Sequence, residues 1–355
     1  MRKSLLFVTL AVSFAAQGQI KRTSVPLHDI ATKAVAISDL TGKDARPFHL
    51  RIQVSEPENP NSPYQGAIEE WWLSNYVWRR EVTSKDGLHQ TIVVANGART
   101  EKDEGDYFPH WLQEFVQAAF DPAPSASVFT ASGLTIDQIT MPGGRKSDAC
   151  ARIKSKVGLG DNSIDFYSNI CFDSENRLKF YGSPGYDMEF HDYRSFGNKQ
   201  FPREFSNDPE PGTHLVGKVE LEDEPETAAY SKLFIPLFTH DSRFSSIVAT
   251  TSQLQEVTAK IPPIAWPPVR SGKTSGHLGI YISVDSQGNV REAWPLTGDN
   301  GELHDLIREQ ARLWQVLPVL NESGKPTQIE GSLTFAFETR IGNPLPTVTG
   351  ADIQK

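Results

Sequence analysis

Two cysteines in 355 residues are too few for a disulfide-built scaffold. Cys150 and Cys171 have no second Cys pair and no His cluster beside them, which excludes a structural zinc site of the usual spacing. Long apolar runs are also missing. Ser4 to Ala16 is the only candidate, and about a dozen residues fall short of the ~20 needed to span a bilayer. Positive charge is in deficit, with 35 Lys and Arg against 44 Asp and Glu. The formal net charge of −9 argues against nucleic acid and anionic membrane surfaces as main partners. No Gly-x-Ser-x-Gly elbow occurs, and Gly143-Gly144-Arg145 lacks Rossmann or P-loop spacing. Glu69 and Glu70 alternate to opposite faces of a strand, so they form no catalytic carboxylate pair and are expected in solvent. His110 and His191-Asp192 lack the ligand partners a metal would need. No enzyme chemistry, cofactor or metal is therefore expected.

What remains is turn-rich and apolar enough to pack. Hydrophobic residues make up 38%, and the chain carries 24 Pro and 26 Gly. Its length suits two domains. Residues 1–18 have the form of a secretion signal: Arg2 and Lys3, the apolar stretch, then Ala16-Gln17-Gly18 as a small-x-small cleavage site before Gln19. Export to the periplasm is expected, with retention of the segment as an inner-membrane anchor as the alternative. An oxidising compartment suits a Cys150–Cys171 disulfide. The two residues lie symmetrically about a hairpin centred on Gly160-Asp161, which sets them directly opposite each other.

Along the chain, residues 45–245 read as one large antiparallel sheet with one or two helices against it. Strand patterns include 48–55, 65–72, 77–84, 89–95, 133–141, 149–157 and 163–172. Trp111, Leu112, Phe115, Val116 and Ala119 mark an amphipathic helix behind Pro109 that stops at Asp121-Pro122. A closing helix is expected over Glu226 to Phe234, and a linker over Thr239 to Pro263. Residues 247–345 then read as ββαβ: strands 278–285 and 290–297, a helix from Glu302 to Trp314, and a final strand from Thr327 to Ile341. The fold class is α+β.

The second unit resembles the TonB C-terminal family. The resemblance rests on Trp266-Pro267-Pro268, Gly276, Asp285-Ser-Gln-Gly288-Asn-Val290, Trp314-Gln-Val-Leu-Pro318 and Asn321-Glu-Ser-Gly-Lys-Pro326, in that order. It implies capture of an extended segment of an outer-membrane receptor or other envelope protein. The expected route is strand addition along Ile329, Gly331, Leu333, Phe335 and Phe337, since the chain ends soon after and offers nothing to cover that edge. A homodimer through the same edge is the alternative. Family members carry a membrane anchor and a Pro-rich spacer, which this chain lacks, so an energy-transducing role is the second reading.

Residues 64–82, followed by Asn96-Gly97, resemble more loosely an early hairpin of LolA-type half-barrels. That resemblance implies a curved sheet holding a helix plug and an apolar cavity for a lipid or acyl chain. The expected lining is Trp111, Phe115 and Phe120, with Trp71 or Trp72 opposite; alternation lets only one of the two tryptophans face the cavity.

Overall fold

The structure is a computed structural model that describes residues 27–42, 44–124, 135–139, 148–157, 163–209, 211–223, 233–237, 243–244 and 246–342. The expected secretion signal lies outside these residues, as do the Gly158–Asn162 turn, Gly143-Gly144-Arg145 and most of the expected closing helix.

Helix α1, Leu27–Ser38, buries Leu27, Ala31 and Ala34 along one face. The spacing i, i+4, i+7 explains why this short amphipathic segment docks rather than frays. Five strands follow: β1 (Phe48–Ser55), β2 (Gly66–Ser74), β3 (Val77–Ser84), β4 (His89–Ala95) and β5 (Ala98–Glu104). Helix α2, His110–Phe120, comes next. Seven more strands complete the first domain: β6 (Thr135–Ile139), β7 (Ala149–Val157), β8 (Ile164–Phe172), β9 (Leu178–Ser183), β10 (Tyr186–Phe196), β11 (Lys199–Asn207) and β12 (Leu215–Asp223). They form one sheet in the order β5-β4-β3-β2-β1-β12-β11-β10-β9-β8-β7-β6, antiparallel throughout. Two meanders therefore meet where the first strand pairs with the last. β5 was not expected from the sequence. Its Ala-Arg-Thr-Glu-Lys-Asp-Glu run has almost no apolar residues, and only its pairing with β4 makes it a strand.

Helix α2 crosses one face of the sheet. β1 alternates so that Phe48, Leu50, Ile52 and Val54 are buried in the core that α2 shares, while Arg51, Gln53 and Ser55 face water. Close approach requires Gly217 on β12, where a Cβ would lie 2.8 Å from the Phe115 ring. Cys150 and Cys171 are paired in register across β7 and β8 and form a disulfide, with Cα atoms 4.1 Å apart. Reducing this bond is expected to lower the unfolding free energy by roughly 3 kcal/mol in the chain-entropy model. Chemical denaturation with and without dithiothreitol measures the difference, and coincident curves would contradict it.

The second domain reproduces ββαβ and adds elements that the sequence reading placed in a linker. β13 (Ile247–Ala249), α3 (Thr251–Val257) and β14 (Thr258–Lys260) occupy that segment. Thr250 caps α3 in a reciprocal capping box with Gln253, which a Thr-x-x-Gln pattern could have signalled. β15 (Ser275–Val284) and β16 (Val290–Gly298) make the hairpin. Its tip is held by the buried Asp285 carboxylate, which accepts from the backbone N–H groups of Gln287 (3.0 Å) and Asn289 (2.9 Å). Helix α4, His304–Ala311, is shorter than expected. The chain tightens into i→i+3 bonds at Leu313 and Trp314, so Trp314 is buried beyond the helix rather than on it. Short strands β17 (Gln315–Val316), β18 (Val319–Leu320) and β19 (Pro326–Thr327) lead into β20, Ile329–Glu338. The sheet order is β13-β20-β15-β16.

This order corrects the expectation that nothing covers the outer edge of the last strand. β13 pairs in parallel with Ile329 to Gly331, and Ala249 and Leu254 lie against Gly331. Past the strand, Val269 bonds to Arg340 and Gly342. The side chains of Ile329, Leu333 and Phe337 are buried in the domain, and Phe335 packs on Trp314 at 4.8 Å between centroids. Only the stretch from Ser332 to Glu338 lacks a strand on its outer side among the described residues. A packed segment from between the two sheets thus covers the first three of the ten positions assigned to a partner, and the rest of that edge stays without an outer strand among the described residues.

Candidate functional site

A cavity of about 450 Å³ opens on the helix-bearing face of the large sheet, at the C-terminal end of α2. Its wall is aromatic. Trp72 and Trp78 come from the β2–β3 hairpin, Phe190 and Tyr193 from β10, Phe201 from β11, and Phe120 from the last turn of α2. The end of α1 closes one side with Val35 and Leu40. These residues converge for a simple reason. Alternation sends Glu70 and Trp72 of β2 and Trp78 and Arg80 of β3 to the same face, Asp192 at φ 49° breaks the alternation of β10 between Phe190 and Tyr193, and α2 stops at Asp121-Pro122 before it can fill the space.

Trp72 stacks on Phe48 with centroids 5.5 Å apart and rings 8° from parallel. Trp71 lies on the opposite face, stacked on His49 at 4.9 Å. Of the expected lining, Trp72 and Phe120 border the cavity. Trp111 and Phe115 do not. They are buried between helix and sheet, Trp111 against Tyr64 and Phe115 against Gly217 and Ile52. The helix is seated so closely at its first two turns that the space expected there is filled by side chains.

The lining holds a feature that the sequence reading placed in water. Glu70 is 2% exposed and sits directly opposite Arg80 in the β2–β3 register. Arg80 Nε donates to Glu70 Oε2 at 2.6 Å. Burial pushes the Glu70 carboxyl above its ordinary range, against the pull of Arg80. The Arg80 guanidinium lies flat over Phe120, 3.5 Å from the ring centroid, and 5.4 Å from Trp78. The signal for this pair was present. Glu70 and Arg80, like Trp72 and Trp78, are equidistant from Asn75 at the hairpin turn, the same symmetry that identified the cysteines.

A second polar cluster joins the two domains. His110, at the start of α2, is buried with both ring nitrogens facing acceptors: Nδ1 lies 2.8 Å from Glu330 Oε2, and Nε2 lies 2.6 Å from the Gly185 carbonyl. An imidazolium satisfies both. Burial opposes the charge, but the bond to Glu330 and the nearby carboxylates of Glu114 and Glu292 outweigh it and lift the ring to about 9. Glu292 accepts from the His110 backbone N–H and from the Tyr107 hydroxyl, each at 2.6 Å. Glu114 is buried and raised to about 8 by burial, with His110 pulling the other way. Gln328 brackets Phe108, accepting from its N–H at 2.6 Å and donating to its carbonyl at 3.1 Å. Among the described residues no group of His, Cys, Asp and Glu is arranged to hold a metal. This cluster is a joint that ties β15, β16 and β20 to α2.

No family model matches the sequence, and no curated protein matches it. Solved structures similar to the chain include a LolA superfamily protein from Nitrosomonas europaea, at 6% identity and a TM-score of 0.26, covering 56% of this chain and 96% of that one. A putative outer membrane lipoprotein-sorting protein domain from Vibrio parahaemolyticus matches at 9% identity and 0.26, covering 58% and 96%. A DUF1329 family protein from Desulfovibrio piger matches at 9% and 0.26, covering 59% and 95%. A TM-score of 0.26 is too low to define a fold, and the geometry above stands by itself.

Proposed function

We propose that the protein is an exported, periplasmic binding protein that holds one elongated apolar or amphipathic ligand, such as an acyl chain, in the cavity at the end of α2. The observation that carries this reading is the cavity itself. Its volume of about 450 Å³ falls within the ~300–1,000 Å³ of small-molecule sites, and six aromatic rings line it beside a few polar groups that include the Glu70–Arg80 pair. A cavity left open in a sheet that elsewhere packs tightly against α2 is a place for a ligand. The resemblance of residues 64–82 to a LolA-type hairpin points the same way. The second domain, clasped to the first through His110 and Gln328, braces the N-terminal end of α2 and so holds the roof of the cavity in place. No helix among the described residues is long and apolar enough to cross a membrane.

Titration with hexadecanol, followed by tryptophan emission, tests the proposal. Trp72 and Trp78 border the space, so binding is expected to shift the spectrum saturably. Trp72→Ala removes a stacked wall residue and is expected to weaken binding about tenfold or more. Wild-type protein with no saturable response would overturn the reading.

A further inference from the structure

We infer that the cavity takes a single-chain carboxylate, a fatty acid, with its carboxylate on the free ends of the Arg80 guanidinium. The inference rests on the ligand-binding reading above and names the ligand's chemistry.

Arg80 lines the cavity. Its side chain keeps 18% of its exposure although its partner Glu70 is almost fully enclosed. The Nε–H bond to Glu70 is the only hydrogen bond that the guanidinium makes among the described residues. Its face is held by Phe120 and its flank by Trp78. Both Nη groups, four donors in one plane, have no partner among the described residues, on a side chain that lines the cavity. That arrangement suits a carboxylate, which takes two parallel N–H bonds from one guanidinium. A pair built only to brace the strands would engage Arg80 in bidentate fashion with Glu70, and the single Nε contact does not.

Asp39, Glu70 and Asp121 also line the cavity and repel an anion, so among the described lining residues Arg80 is the one cation that a carboxylate can meet. The tail then lies along Trp72, Phe190 and Phe201. The volume sits in the lower part of the small-molecule range and suits one chain rather than two.

Isothermal titration of the full chain, mature at its N-terminus, with palmitate and with hexadecanol separates the head-group claim from the cavity claim. Wild type is expected to bind palmitate about tenfold to a hundredfold more tightly than the alcohol, the value of hydrogen bonds to a charged group. Arg80→Gln is expected to lose that preference and keep the affinity for hexadecanol. Because this change strips Glu70 of its buried cation, the pair Arg80→Gln with Glu70→Gln, in which two amides can bond each other, serves as the folded comparison. Glu70→Gln alone is expected to retain the preference for palmitate. Equal wild-type affinities for acid and alcohol would overturn the carboxylate site and leave the acyl-binding reading standing. Binding of neither would overturn both.

Discussion

Replacing His110 by alanine is expected to lower the unfolding free energy by about 3–5 kcal/mol, the cost of breaking a buried charged pair from one side. The imidazolium lies between Glu330 and the Gly185 carbonyl, with Tyr281 and Trp294 against its ring. Removing it leaves Glu330 buried without a cation and opens a void at the joint between the domains. The same joint gives the stability a definite pH dependence. His110 has its folded value raised to about 9 from an unfolded value near 6.5, so its contribution is complete below the unfolded value and is lost as pH rises through about 9. Glu114, raised to about 8, keeps in the folded state a proton that the unfolded chain gives up above ~4.5. Its effect therefore also declines with rising pH, and Glu292, raised by burial, acts in the same sense. Stability should fall between about pH 5 and 9, by roughly 1.4 kcal/mol per pH unit for each group while the two states differ in that proton. Urea unfolding at pH 6 and pH 9 measures this. His110→Gln should flatten the alkaline limb, and a wild-type profile that rises with pH would contradict the assignment.

Phe115→Ala carries the second large effect. The ring is fully buried beside Gly217 and Ile52, where α2 lies close on the sheet. Truncation at such a site costs about 3–5 kcal/mol, because Gly217 has no side chain to move into the void. Trp72→Ala should cost less, since that side chain already borders open space, yet it should cost more in ligand affinity. The pair thus separates core from cavity. Equal loss of affinity in both variants, after correcting for the folded fraction, would mean that the cavity boundary is drawn in the wrong place.

Much of this architecture was legible in the residues. Period-two alternation located most of the twelve strands, the i, i+4, i+5, i+8 pattern located α2, and symmetry about a turn located the disulfide. The ββαβ order of the second domain was visible for the same reason. Local pattern failed where pairing rather than composition makes the element. β5 is polar along its length and exists because β4 presents an edge. β13 is three residues long and is a strand only because β20 lies beside it.

The candidate site was half legible. Trp72 and Phe120 were named, whereas Trp111 and Phe115 were placed in a space that the helix fills. How deeply a helix seats depends on small residues such as Gly66 and Gly217 that lie far away in sequence. Glu70 was misjudged because a charged side chain in isolation is expected in water, and His110 was read only as lacking metal-ligand partners. Arg80 lay within reach of the same hairpin arithmetic that placed the cysteines. Glu330, which partners His110, is 220 residues away, and no local signal connects the two.

The central claim is that the cavity at the end of α2 holds a single elongated ligand. Native mass spectrometry of the protein, purified from an envelope without detergent or organic solvent, tests it most directly. The expected spectrum shows the mature, disulfide-bonded chain carrying one adduct of a single-chain amphiphile, which Trp72→Ala sheds at lower collision energy. A folded protein that stays at its bare mass, and that takes up no adduct after incubation with palmitate or hexadecanol, would contradict the account.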